Sequence, residues 1–270
     1  MKKFELTTEF ITNTFGKKLF RIKALVEFGD VKAGELGGYV EKEGNVSQDG
    51  NAWVSGNAWV CGNAAVSGNA RVYSNAKTSG NAAVFGDARI CGDAEVFGNA
   101  KVFGNAWVSG NARVSGNAWV CGDAEVFDNA KVFSGAKVSG NAWVSGNAWV
   151  SGNAAVSGNA RVSSNAKTSG NAAVFGDARI CGDAEVFGDA RVSSNADYTL
   201  VQGFGTKLRC TTFCRSKNKK IMVNCGCFHG DLEEFRKQVK ETRSGKIAKE
   251  YLMIADLMEY HFASEDSSDE

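Results

Sequence analysis

From Ala52 to Ala196 an alanine stands at every sixth position without a break, and that regularity leaves the chain very few folds to choose from. From Gly50 the sequence reads GNAWVS GNAWVC GNAAVS GNARVY and then holds the same frame. Asn or Asp precedes each Ala, except at Gly135. Gly comes before that, except at Ser74, Asp128, Ser134, Ser164 and Ser194. Two residues after each Ala, from Val54 to Val192, comes Val or Ile, with Thr78 and Thr168 as the exceptions. Gly-Asn and Gly-Asp favour turns, because Gly takes positive φ freely and Asn and Asp tolerate it best among the rest. Ala-x-Val then alternates inward, outward, inward, as a strand does. A strand of about three or four residues between turns cannot bury its inner face alone. Stacked parallel coils bury it continuously, with Val and Ile filling the core and Ala at the tight corners.

Three hexads make a triangular coil of 18 residues, and residues 51–100 return as 141–190, five such coils later, with only Cys61/Ser151, Tyr73/Ser163 and Asn99/Asp189 differing. This reads as growth by duplication. From Val54 to Tyr198 there are eight coils, a rod of about 38 Å at ~4.8 Å per coil. The expected divisions are 1–49, an N-terminal β cap with an irregular first coil; 50–198, the repeat; 199–263, a C-terminal module; and 264–270, a solvated acidic tail.

The residues on either side of each Val point outward, and those 18 apart stack in ladders. One face runs Trp53, Arg71, Arg89, Trp107, Glu125, Trp143, Arg161, Arg179. The next runs Trp59, Lys77, Glu95, Arg113, Lys131, Trp149, Lys167, Glu185, and the third Ala65, Ala83, Lys101, Trp119, Lys137, Ala155, Ala173, Arg191. All six Trp are thus expected outside, with seven repeat Phe, among them Phe85 and Phe103 in direct register. Exposed aromatics in this number point to an interface for copies of the chain or for a partner. Packing along a β surface also favours them. Trp53, Trp59, Trp107, Trp119, Trp143, Trp149, Phe85 and Phe103, with Arg71, Arg89, Arg161 and Arg179, are therefore the candidate binding residues. The repeat cysteines Cys61, Cys91, Cys121 and Cys181 also point out, as small apolar filler.

A solenoid exposes strand edges and needs caps. KKFELTTEF and KKLFRIKALVEF read as strands around a turn at Asn13-Thr14-Phe15-Gly16. Val40 and Val46 are six apart, but Val54 follows only after eight. Beyond Ala196, LRCTTFCRS and KIMVNCGCF read as two strands around Lys217–Lys220. Asp231 to Glu234 forms a capping box for a helix through Val239, and GKIAKEYLMIADLMEYHF has helical apolar spacing, so the module reads ββαα. Cys210, Cys214, Cys225, Cys227 and His229 lie close in sequence. Their CxxxC and CxC spacing is not the usual zinc pattern, and the reading favours core thiols, with no metal and no cofactor.

Gly at 32 with Pro at 0 places the Gly in structural turns, not flexible linkers. A net charge of +1 offers no bulk attraction to nucleic acid or anionic membrane. No apolar run approaches the ~20 residues of a membrane span, and no signal segment follows the first lysines, so a cytoplasmic location is expected. Passage inside a virus particle would leave the same signature.

VSGNAW, VCGNAA and ICGDAE resemble the hexapeptide-repeat family over roughly residues 46–198. That resemblance implies a left-handed parallel β-helix, although other parallel crossovers are right-handed in ~98% of cases, and it implies parallel trimers. FITNTFGKKLFRIKAL and GELGGYVEKEGNVSQDGNAWV further resemble phage- and prophage-borne members labelled polymer-forming. Enzymes of the family are acyltransferases, which use a His base, and carbonic anhydrases, which bind metal through three His. Here His229 and His261 are the only histidines, both outside the repeat. The expected function is a non-enzymatic structural or binding rod, homo-oligomeric and phage-encoded. Alternatives are an acyltransferase using acyl-CoA or a nucleotide-sugar at a subunit cleft, and a phage factor that binds a host protein or a signalling nucleotide.

Overall fold

The computed structural model describes residues 1–205 and 208–263; the predicted acidic tail lies outside the described residues. Strands β1 (Phe4–Thr12), β2 (Lys18–Ala24) and β3 (Leu36–Val40) precede a run of two-residue strands from β4 (Trp53–Val54) to β27 (Arg191–Val192). Among the described residues these short strands stack eight to a face on three parallel sheets. Every neighbour is 18 residues away, as in Trp53 against Arg71 and Trp59 against Lys77. The three ladders run as the sequence predicts. The strands are shorter than expected: only two of each six residues pair as strand, and the other four make the corner. With the irregular turn that opens at β3, the parallel solenoid has about nine turns.

The inner Ala and Val of the repeat are almost fully buried and form one continuous core. Thr78 and Thr168 sit in it at 0% exposure, and among the described residues their hydroxyls have no hydrogen-bond partner. The turn Gly is needed twice over. Gly68 has φ +69°, and a Cβ there would lie 2.9 Å from the Gly86 nitrogen in the next coil. Ser74, Asp128, Ser134 and Ser164 accept the same left-handed backbone, with φ between 59° and 63°. Ser194 does not: the repeat ends there, and it caps a short 3-10 turn in extended conformation.

The residue after the turn Gly has a second role. Asn side chains form ladders along the corners, each amide donating to the next coil. Asn51 donates to Asn69 at 3.0 Å, and Asn69 to Asp87 at 2.9 Å. Asn141, Asn159 and Asp177 repeat the series. A carboxylate accepts but cannot pass the chain on, so Asp ends a ladder that Asn continues. Gly135 leaves Asn117 without a rung to donate to.

At the N-terminal end, β1 and β2 form the expected hairpin, and β2 pairs antiparallel with β3. β3 joins the solenoid through Tyr39 against Trp59, a spacing of 20 that absorbs the two extra residues before Val54. At the other end, the expected strand pair belongs to a four-stranded antiparallel sheet: β28 (Tyr198–Phe204), β29 (Arg209–Arg215), β30 (Ile221–Cys225) and β31 (Phe228–Asp231). The turn at Gly226-Cys227 splits the predicted second strand into β30 and β31. One face of the sheet packs Tyr198, Leu200, Cys214 and Met222 onto the solenoid core. The other carries α1 (Leu232–Thr242) and α2 (Gly245–Phe262) over Phe213 and Val223. Asp231 and Glu234 form the predicted capping box, at 3.0 and 2.9 Å. No described helix is long and apolar enough to cross a membrane.

Candidate interaction surface

Pointing away from the coil is not the same as meeting solvent, and the six Trp divide on this point. The repeat frame expects Trp53 outside, but it is 1% exposed. The N-terminal cap covers it, with Phe4 and Phe28 edge-on at 6.2 and 5.4 Å. Trp59 is half-buried beside Leu19, Tyr39 and Cys61 under the β1–β2 hairpin. Trp107, Trp119, Trp143 and Trp149 are the exposed set, at 38–41%.

Each exposed Trp is held rigidly by the coil before it. Phe103, Phe127 and Phe133 meet Trp119, Trp143 and Trp149 edge-to-face at 5.7–6.0 Å. At Trp107 the same position is Cys91, whose sulfur accepts from the indole N–H at 3.1 Å. That contact leaves Cys91 only 8% exposed, so of the repeat cysteines expected to point out, Cys61 and Cys91 are buried, while Cys181 is exposed. Cations lie over three of the rings: Lys101 and Lys137 over Trp119, Lys131 over Trp149, and Arg161 over Trp143 at 4.7 Å. Phe85 and Phe103 stack as expected, parallel with centroids 4.9 Å apart, and both are half-buried.

Charge separates the three faces. On the face of Trp59, Glu95 is clasped by Lys77 and Arg113, and Glu185 by Lys167, so its carboxylates are already neutralised. On the face of Trp119 the charged rungs are all cationic: Lys101, Lys137 and Arg191. On the face of Trp107, Glu125 lies between Trp107 and Trp143, and no ion pair involves it among the described residues. Arg89, Arg161 and Arg179 have none there either. Arg71 differs, because Asp30 reaches over it from the loop after β2. That overhang makes a cleft of about 620 Å³ against Arg71 and Arg89. Burial and the neighbouring charge of Arg89 lower the pKa of Arg71.

The cysteines near the C-terminus are not brought together. Cys210 and Cys214 lie on the sheet face that meets the solenoid, where His229 packs on Phe187 at 4.7 Å. Cys225 is on the helix side, accepting from the Thr211 hydroxyl at 3.1 Å, and Cys227 is exposed in a turn. Burial, with the charges of Asp183 and Glu185, pushes the Cys210 thiol up to about 11. His261 packs on Phe262 in α2.

Sequence reasoning missed the polar residues that close the two ends, above all Lys3, Asn45 and Asp197. One signal was available. Gly44-Asn45 repeats the turn pair but is followed by Val46 where the frame calls for Ala, which marks the coil leaving its register.

The family model described as the YdcK beta solenoid repeat matches residues 106–122 and 136–152. The chain is similar to that repeat across two stretches of the rod, and all four exposed Trp lie within them. Comparison with curated proteins finds no match.

Proposed function

We propose that this protein is a non-enzymatic rod that binds laterally to copies of itself. The observation that carries this reading is the set of four Trp held 38–41% exposed by rigid partners at mid-rod. Large side chains that are ordered before contact lose little entropy on binding, and aromatic anchors dominate most interfaces. Both ends of the solenoid are capped, so its backbone edges do not template further coils, and the sides remain. The resemblance of the N-terminal segments to phage- and prophage-borne proteins supports a phage setting in the host cytoplasm.

The test is the native mass in solution, by light scattering over a range of concentrations. The reading expects a multiple of the one-chain mass, falling when Trp107 and Trp143 are both replaced by Ser. A one-chain mass at every concentration would overturn it. The trimer that the family resemblance implies and the dimer argued below differ in mass, so the same measurement separates them.

A further inference from the structure

Read along the rod, the Trp107 face has a palindromic order: Arg71, Arg89, Trp107, Glu125, Trp143, Arg161, Arg179. Arginines stand directly opposite one another at each flank, an arrangement that is unfavourable within one sheet. The single carboxylate at the centre has no cation beside it among the described residues. The neighbouring face neutralises its own carboxylates, so the missing counter-charges here are not a general property of the rod.

Resting on the reading that the rod self-associates, we infer that this face is a two-fold interface, and that its partner is a second, antiparallel copy of the chain. Three alignments fail on charge or access. A parallel copy, rung to like rung, sets Arg on Arg and Glu on Glu. An antiparallel copy centred on Glu125 does the same. Centring on Trp107 would set Glu125 against Arg89 and Trp143 against Arg71. There the overhanging loop with Asp30 already holds Arg71 and keeps a flat surface away.

Centring on Trp143 meets none of these obstacles. Trp143 faces its own copy, and Glu125 faces Arg161 of the second copy, twice by symmetry. Trp107 faces Arg179 of the second copy, a cation over a ring as Arg161 now lies over Trp143. A two-fold contact of this kind needs a self-complementary patch, and offset by one rung from its centre the palindrome supplies one.

The experiment uses the full chain in two variants, Glu125→Arg and Arg161→Glu, with mass read by light scattering. Both positions are outward rungs, where Arg and Glu already occur elsewhere in the ladders. Each variant alone opposes like charges twice and should weaken the dimer by about tenfold or more. An equimolar mixture should recover dimers. At one of the two symmetric contacts the introduced arginine then meets the introduced glutamate, and at the other the native Glu125 and Arg161 meet as before. The inference is overturned if the wild type is a trimer, if either variant keeps the wild-type dimer, or if the mixture stays apart while circular dichroism shows both variants folded. Lateral association through the exposed Trp would survive the last two results, whereas a monomeric wild type would remove both readings.

Discussion

The two ends of the rod have opposite chemistry, and the direction of the backbone hydrogen bonds explains why. In each hexad three N–H groups donate toward the C-terminal end, as Asn51, Trp53 and Ser55 do to Gly68, Ala70 and Val72 O at 2.8–3.0 Å, against the one return bond that a parallel rung makes. The first coil therefore leaves mainly carbonyls without donors, and the last mainly N–H groups without acceptors. The N-terminal cap brings donors. The Asn45 amide, itself fully buried, donates to Gly62 O at 3.1 Å and Ala64 O at 2.8 Å. The Lys3 ammonium donates to Ala52 O and Gly50 O at 2.9 and 3.2 Å. The C-terminal cap brings mainly acceptors, beside the Tyr198 hydroxyl and Lys217 N, which donate to Arg179 O and Asp189 O. Asn195 Oδ1 takes Arg179 N at 2.9 Å, and Thr212 Oγ1 takes Glu185 N at 3.0 Å. Asp197 takes both Ser193 N and Ser194 N, at 2.9 and 3.0 Å. Burial would raise the pKa of Asp197, but these hydrogen bonds and the charge of Arg215 hold it below the usual carboxylate range. A repeat with one predominant bond direction needs two different caps, so its ends are not interchangeable.

The largest break in this comparison is at the N-terminal plug. Trp53→Ala removes the ring between Phe4 and Phe28 and should cost about 3–5 kcal/mol in urea unfolding, the range for a buried aromatic. Trp107→Ala, at an exposed rung, should cost under about 1 kcal/mol when both variants are unfolded at concentrations low enough to keep the chain monomeric. Equal costs would mean that the cap does not seal the coil. Next in size is a change of sign. Asn45→Asp sets a carboxylate against two carbonyls and should cost about 3 kcal/mol, as a buried group that has lost its partners does. Asp197→Asn keeps an acceptor oxygen and should cost about 1 kcal/mol. If the two substitutions cost the same, the ends do not differ as argued.

The sequence was most legible where the period fixes geometry. All three ladders were assigned to the right rungs, because a break-free hexad leaves no freedom of register. It was least legible at the caps, where no period exists. Trp53 occupies an outward rung, and nothing in the repeat shows that Phe4 and Phe28 will fold over it. Asn and Asp looked equivalent as turn residues, and only the stacked corners show that one continues a ladder and the other ends it. The exposed Trp were legible as candidates. The charge isolation of Glu125 was not, because it depends on which cations reach across neighbouring rungs. β28 and β31 went unread because Tyr198–Phe204 directly continues the repeat and Phe228–Asp231 is only four residues long.

The finest comparison is titration, in which the ends should respond to alkali in opposite directions. Burial, and then the charge of Arg71, lowers the Lys3 ammonium to about 8. Between pH 8 and about 10.5 the unfolded chain holds more of that proton than the folded one, so stability rises with pH. Up to about 2 kcal/mol of this falls between pH 8 and 10, less whatever the two carbonyls retain. At the other end burial pushes the Cys214 thiol up to about 12. The unfolded thiol ionises near 9 and the folded one does not. This contribution is therefore complete below pH 9, and it is lost as pH rises toward 12, by about 1.4 kcal/mol between pH 8 and 10. Urea melts of the wild type, Lys3→Met and Cys214→Ala at pH 8, 9 and 10 separate the two. The wild-type advantage over Lys3→Met should grow across the series, and the advantage over Cys214→Ala should shrink. Parallel pH curves for the wild type and Cys214→Ala would show that water reaches the seam between the last coil and its sheet, and that the acceptor cap seals the rod less tightly than the donor cap.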